Sequence, residues 1–199
     1  MNKFFLLILF CFFSTFISSQ TWYREEINDL CGYVDSLGVV KIPFEYMDAF
    51  TYEFTDSIAF VAIIENGVGK IKTIDRNNKK LFTVYSSDDI GEALFRIQDD
   101  STGYVGFADL NGSVIIPPRF FYVNLFNEGF AAFNTGGHLE PMDEEHTLIV
   151  GGKWGYINKE GKEVFPAIFD KARSFDGGKA EVQIGKQVFC ISSNKCFER

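Results

Sequence analysis

The chain has 199 residues, 46% of them hydrophobic and 17% aromatic, with a formal net charge of −8. That length suits one compact unit with a full core, and the acidity argues against nucleic acid and anionic membrane surfaces as partners. Only two histidines are present, which leaves little material for a hydrolytic triad.

Residues 1–19 read as a secretory signal peptide. Asn2-Lys3 gives a short charged start, Phe4 to Phe16 an apolar run, and Ile17-Ser18-Ser19 an end fit for cleavage. The run falls short of the ~20 apolar residues of a membrane span, and serine interrupts it. Cleavage near Ser19 leaves Gln20 first and discards Cys11. It removes one of the 19 basic residues and none of the 27 acids, so the mature charge deepens from −8 to −9. No later segment reaches a transmembrane length. The expected location is therefore secreted, periplasmic or at the cell envelope, an oxidising setting for the remaining Cys31, Cys190 and Cys196.

The mature chain, residues 20–199, reads as one β domain of repeats. Three copies share one spacing: Cys31-Gly32-Tyr33-Val34-Asp35 to Gly38 and Pro43, Val105-Gly106-Phe107-Ala108-Asp109 to Gly112 and Pro117, and Trp154-Gly155-Tyr156-Ile157-Asn158 to Gly161 and Pro166. A fourth copy, Lys72 to Thr83, keeps the turn as Asp75 to Asn78 and lacks the first glycine and the proline. The alternation around each turn is that of a strand. An Asp or Asn opening the turn bonds backbone two residues on. Gly38, Gly112, Gly161 and Asn78 supply the left-handed residue of a type I turn with a bulge. Downstream, Ala59, Ala93, Ala131 and Ala180 each lead a further strand.

Each unit is thus predicted to be a three-strand antiparallel meander of alanine strand, aromatic strand and proline strand, with proline ending the ladder. The modules span about residues 30–63, 64–97, 104–134 and 152–184, with a truncated fifth at 185–197 and an acidic loop inserted at 134–147. The fold class is all-β: tandem meanders in an open curved array or a propeller-like closure. The glycine beside the aromatic residue admits another backbone or ring. Trp154 is expected to pack between modules.

The search for chemistry yields no catalytic residue and no cofactor. No serine sits in a nucleophile turn, and the glycines belong to turns rather than to a phosphate cradle. His138 to His146 gathers oxygen and nitrogen groups, but nothing in the sequence fixes their geometry, so the segment reads as a solvated loop rather than a metal site. Asp88-Asp89 and Asp99-Asp100 read as turn residues.

Lys153 to Lys162, continuing to Val164-Phe165-Pro166 and on through Phe175, Gly178 and Ala180, resembles the WG-repeat family, and the likeness extends over about residues 30–191. The family tryptophan stands only at Trp154; Cys31, Ile71 and Val105 occupy its place elsewhere. The resemblance implies a repeat fold and carries over no catalytic residue. Two function classes follow. One is a secreted binding or scaffolding module for a protein, peptide or glycan, with the insertion on its binding face. The other is an enzyme or enzyme accessory; a structural envelope component is the variant of the first. The expectation is a binding module and not an enzyme.

The C-terminal cysteines complete the reading. Aligning Gly185 with Gly152 puts Cys190 over Ile157 and Cys196 over Glu163. That hairpin pair, like Val34 with Val40 and Ala108 with Val114, is expected to face across the strands at ~4.5 Å. The distance lies within the ~4.4–6.8 Å reach of a disulfide. Cys190–Cys196 is the predicted bond, and the rival is a clasp from Cys31 to either C-terminal cysteine.

Overall fold

The computed structural model describes residues 20–86, 90–141 and 147–195. Among them are 21 strands, one 3-10 turn (Ser193–Lys195) and no α-helix. Unit 1 is β1 (Trp22–Ile27), β2 (Leu30–Val34) and β3 (Val40–Tyr46), followed by β4 (Asp48–Ala49) and β5 (Glu53–Phe54). Unit 2 is β6 (Ile58–Glu65), β7 (Val68–Asp75) and β8 (Lys80–Val84). After β9 (Ile90–Gly91), unit 3 is β10 (Leu94–Gln98), β11 (Val105–Asp109) and β12 (Val114–Phe120). After β13 (Tyr122–Val123), unit 4 opens with β14 (Phe130–Asn134) and diverts into β15 (His138–Pro141) and β16 (Thr147–Val150). It resumes as β17 (Trp154–Asn158) and β18 (Glu163–Phe169). Last come β19 (Lys171–Ala172) and the hairpin of unit 5, β20 (Lys179–Ile184) with β21 (Gln187–Ser192). Four meanders and a closing hairpin are what the repeat predicts.

One turn recurs four times. Asp35 N–H donates to Val39 O at 3.0 Å and Gly38 N–H returns to Asp35 O at 2.9 Å. The same pair of bonds joins Asp75 with Lys79 and Asn78, Asp109 with Ser113 and Gly112, and Asn158 with Lys162 and Gly161. The fourth residue is left-handed throughout: φ is 77° at Gly38, 62° at Asn78, 83° at Gly112 and 75° at Gly161. The aspartate carboxylates also accept backbone N–H two and four residues on, as at Leu37 and Val39 with Asp35. The expected facing pairs form: Val34 with Val40, Ala108 with Val114 and Ile157 with Glu163.

The proline does not end its strand. Tyr33 faces Ile42 while Cys31 faces Tyr46, so the proline strand gains two residues over its neighbour and continues. Phe107 with Ile116 and Val105 with Phe120 repeat this bulge, as do Tyr156 with Phe165 and Trp154 with Phe169. Pro43, Pro117 and Pro166 sit exposed within the bulge, where a missing N–H costs no ladder bond. The bulged backbone lies on the repeat glycine. A Cβ on Gly32 would stand 2.7 Å from Ile42 O, one on Gly106 2.3 Å from Ile116 O, and one on Gly155 2.7 Å from Phe165 O. Glycine and proline are therefore two halves of one contact. In unit 2 both are replaced together: Lys72 pairs with Thr83, and its ammonium donates to the threonine Oγ1 at 2.6 Å.

Units join through the short connector strands. β4, β9, β13 and β19 each leave one unit and pair with the leading strand of the next, β6, β10, β14 and β20. Units 2 and 3 also pair directly through β8 and β10 in an eight-stranded sheet. The described residues form five sheets, none a closed barrel. Unit 1 instead receives β5 of its own connector along β1. The leading strand β1 has no alanine signature and lies upstream of the first predicted module.

Four apolar clusters fill the spaces between consecutive units. Cys31, Tyr33, Ile42 and Phe54 pack with Ala59 and Val61; Ile58 and Val84 with Phe95 and Ile97; Phe107 and Ile116 with Phe133 and Ile157; Tyr156 and Phe169 with Ala180 and Val182. Each unit thus shares a core with its neighbours, the coupling that makes repeat arrays cooperative. Tyr33, Phe107 and Tyr156 are fully buried, each stabilising by about 1.5–3 kcal/mol through burial. Tyr33 and Tyr156 also donate their hydroxyls to the connector carbonyls of Thr51 and Arg173, at 2.8 and 2.6 Å. Polar clasps recur at the leading turns. Glu92 accepts Gly129 N–H at 3.1 Å and Glu128 accepts Gly178 N–H at 2.8 Å.

Candidate ligand groove

The inserted segment 134–147 is not simply a solvated loop. Its flanks form a hairpin, with His138 facing Val150, Leu139 facing Ile149 and Glu140 facing Leu148. The apolar run Leu148-Ile149-Val150 on β16 is the strand signal that the histidines, glycines and acids of the segment hide. The hairpin continues the β14–β17 ribbon beyond a bend made of Gly136, Gly137, Gly151 and Gly152. At that bend backbone meets backbone: a Cβ on Gly137 would lie 2.5 Å from Val150 O, and one on Gly152 1.6 Å from Gly136 O. Only glycine permits the approach.

The bent ribbon walls a groove of about 760 Å³. Its floor carries three aromatic rings. Tyr122 meets Tyr85 and Trp154 edge-on, each pair 5.9 Å between centroids at 75° and 73°. The Arg96 guanidinium stacks over Tyr85 at 4.8 Å and donates to Val123 O at 3.1 Å. Leu139 and Leu148, 53% and 52% exposed, stand on the ribbon wall. The facing wall is Asp170 to Arg173 on the β19 side, backed by Glu181 to Gln183 of β20.

Two ion pairs stand at the rim, and Lys171 lines it as a further cation. Lys153 Nζ lies 2.5 Å from Asp170 Oδ1 and Arg173 Nε 3.1 Å from Glu181 Oε1. The bond from Lys153, with a second from Gly185 N–H, holds the Asp170 carboxyl below its ordinary range. Burial raises the Tyr85 hydroxyl above its ordinary value. The groove therefore offers aromatic faces, aliphatic side chains and backbone, with two ion pairs and Lys171 at its rim. Such a lining suits a ligand with apolar faces.

Of the residues singled out in the sequence, Trp154 is the one that meets the groove. It is 9% exposed, lies against Tyr122 at the apex of the site, and belongs to the core between units 4 and 5. Gly32, Gly106 and Gly155 seat the bulges, Gly38, Gly112 and Gly161 make the turns, and none of the six lines the groove. Cys31 is buried under Arg24, whose Nη2 donates to its Sγ at 3.2 Å. Cys190 is exposed on β21 opposite Glu181; Cys196 lies outside the described residues, and the predicted bond with it. Asp99 is a turn residue as expected, accepting from Ser101 and Thr102, whereas Asp88 and Asp89 lie outside the described residues. His138 Nε2 is 2.6 Å from Glu140 Oε1. Among the described residues no three His, Cys, Asp or Glu side chains gather as metal ligands; His146 and residues 143–145 fall outside them.

The family described as WG containing repeat matches residues 106–137 and 154–187. These stretches run from the aromatic strand of one unit through the leading strand of the next, β11 to β14 and β17 to β20. No curated protein and no solved structure matches the chain. Units 1 and 2 lie outside the matched residues yet repeat the same turn, facing pairs and meander.

Proposed function

Taking as premise that the chain is a WG-repeat containing protein, we propose that it is a secreted binding module whose ligand lies in the groove beside Trp154. The observation that carries this reading is the insertion itself. It interrupts one meander of a regular array, and its bent hairpin walls a concavity over rings that Tyr85, Tyr122 and Trp154 extend from the core. The leader-like residues 1–19 support action outside the cytoplasm, and the aromatic and aliphatic lining favours a partner surface that is partly apolar. The repeat array serves as the rigid support, and the groove as the recognition surface, with no catalytic step assigned to it.

A photoreactive residue tests this directly. Placed at Lys171 on the groove rim, it should capture a ligand from the native cells or their medium, and the same group at exposed Val39 should not. Capture should fall at least tenfold when Ala172→Phe fills the groove. Equal capture from both positions, or capture indifferent to Ala172→Phe, would overturn the assignment.

A further inference from the structure

The groove lies where a sheet divides. β17 pairs with β18 as far as Trp154 and Phe169, the last facing pair. Beyond that pair the partners separate. The β17 side runs back through Lys153 and the glycine bend into β16, and the β18 side turns at Asp170 into β19. Among the described residues β16 pairs only with β15, and β19 only with β20. Because β15 continues β14, the side of β16 left unpaired is the one that β18 occupies along β17. The ion pair of Lys153 with Asp170 stands at the fork.

Consecutive residues border the gap on both sides: Leu148, Ile149 and Val150 on β16, and Lys171 with Ala172 on β19. β20 also borders the groove with Glu181 to Gln183 but lies between β19 and β21, whereas β16 has one strand partner among the described residues, so its N–H and C=O groups on the other side lie along an open edge. The vacated position continues an existing antiparallel ladder, in line with β18.

We propose that the ligand of this groove is an extended peptide segment that adds to the open edge of β16 as a strand, its backbone taking the place β18 vacates at Asp170. This rests on the groove being the binding surface. Recognition is then divided in a way that follows from the pleat. Main-chain bonds to β16 hold the segment, and alternate side chains meet the aromatic floor of Tyr85, Tyr122 and Trp154. The other side chains face solvent and are read weakly. An uncharged glycan meets the same aromatic floor but makes no ladder.

The test uses the full mature chain and three octapeptides in which threonine alternates with leucine, valine or tyrosine. Each is compared with a counterpart N-methylated on the alternate amides that would donate to β16. Binding is followed by shifts of the backbone amides. At least one octapeptide should shift the amides of 148–150 and 171–172 and slow their hydrogen exchange, and N-methylation should weaken it tenfold or more. Ala172→Phe, shown by circular dichroism and melting to be folded, should abolish the shifts. Equal binding of the N-methylated peptides, or saturation of the groove by a neutral oligosaccharide with no peptide binding, overturns the strand-addition proposal while leaving a binding groove. Shifts that appear elsewhere and survive Ala172→Phe overturn both.

Discussion

Gly106→Ala isolates the contact that defines the repeat. The new methyl carbon would lie 2.3 Å from Ile116 O, 2.6 Å from Pro118 N and 2.7 Å from Pro117 C. All three are backbone atoms of the bulge, so no side chain can swing aside; β12 must move away from β11. Small-to-large changes in packed sites cost about 1–3 kcal/mol, and a purely backbone obstacle belongs at the upper end, about 3 kcal/mol. At about 2–4 °C per kcal/mol for a chain of this size, the melting temperature should fall by about 6–12 °C. Gly69→Ala is the matched control: it lies in β7 of the same sheet, has no atom within 4 Å of its added carbon and no positive φ. It should be neutral or stabilising by up to about 1 kcal/mol, because alanine restricts the unfolded chain. Thermal and urea unfolding of both variants decide the matter. A Gly106→Ala protein as stable as the parent, or an equal loss in Gly69→Ala, refutes the idea that glycine is there to seat the proline bulge.

Other outcomes follow from the same geometry. Ala93 does not lead its strand as the alanine spacing predicts: it sits in the turn before β10 with φ of 68°, where the equivalent turns carry Gly129 and Gly178, and Phe95 takes the place of Ala131. Ala93→Gly should therefore stabilise by about 0.5–1 kcal/mol in urea unfolding; a loss would contradict the strain. The Asp99 carboxyl is drawn down to about 2 by Ser101 and Thr102, and Asp35 lies below its ordinary range through Lys41. Their folded values lie below the unfolded ~3.9, so they stabilise fully above about pH 4 and lose that contribution as pH falls through the folded values. Melting temperature should therefore drop between about pH 4 and 2, and a flat profile there would contradict these bonds. Non-reducing peptide mapping should link Cys190 to Cys196, whereas a Cys31-containing peptide joined to the C-terminal one would refute that bond; Cys31 is 1% exposed beneath Arg24.

The parts legible in the sequence are those fixed by neighbours a few residues apart. Asp109 and Gly112 make their turn alone, and a turn of known type dictates that Ala108 faces Val114. The proline bulge was half visible: the spacing of Gly106 and Pro117 is regular, but that the strand continues past the proline depends on backbone packing between strands. β1 was missed because β5, distant in sequence, holds it from the other side. The groove was the least legible part. Tyr85, Tyr122, Leu148, Trp154 and Glu181 come from five strands or connectors, and only Trp154 belongs to the repeat signature. The signal available was the interval to Ala180, longer than those between the earlier alanines, together with Gly136-Gly137 and Gly151-Gly152 placed symmetrically about the insertion.

Trp154 can report on the groove from within. The chain has two tryptophans, and Trp22 packs against Phe54 of unit 1 and Arg76 of unit 2, so Trp22→Phe leaves Trp154 as the sole indole. Acrylamide quenching of that protein is the most direct measurement, with and without a saturating amount of whichever octapeptide shifts the groove amides and with calorimetry as an independent count of binding. Occupancy of the fork covers the edge of Trp154 that faces the groove, and the predicted result is a quenching constant at least halved at saturation. Calorimetric binding with quenching unchanged would place the ligand elsewhere and contradict the account.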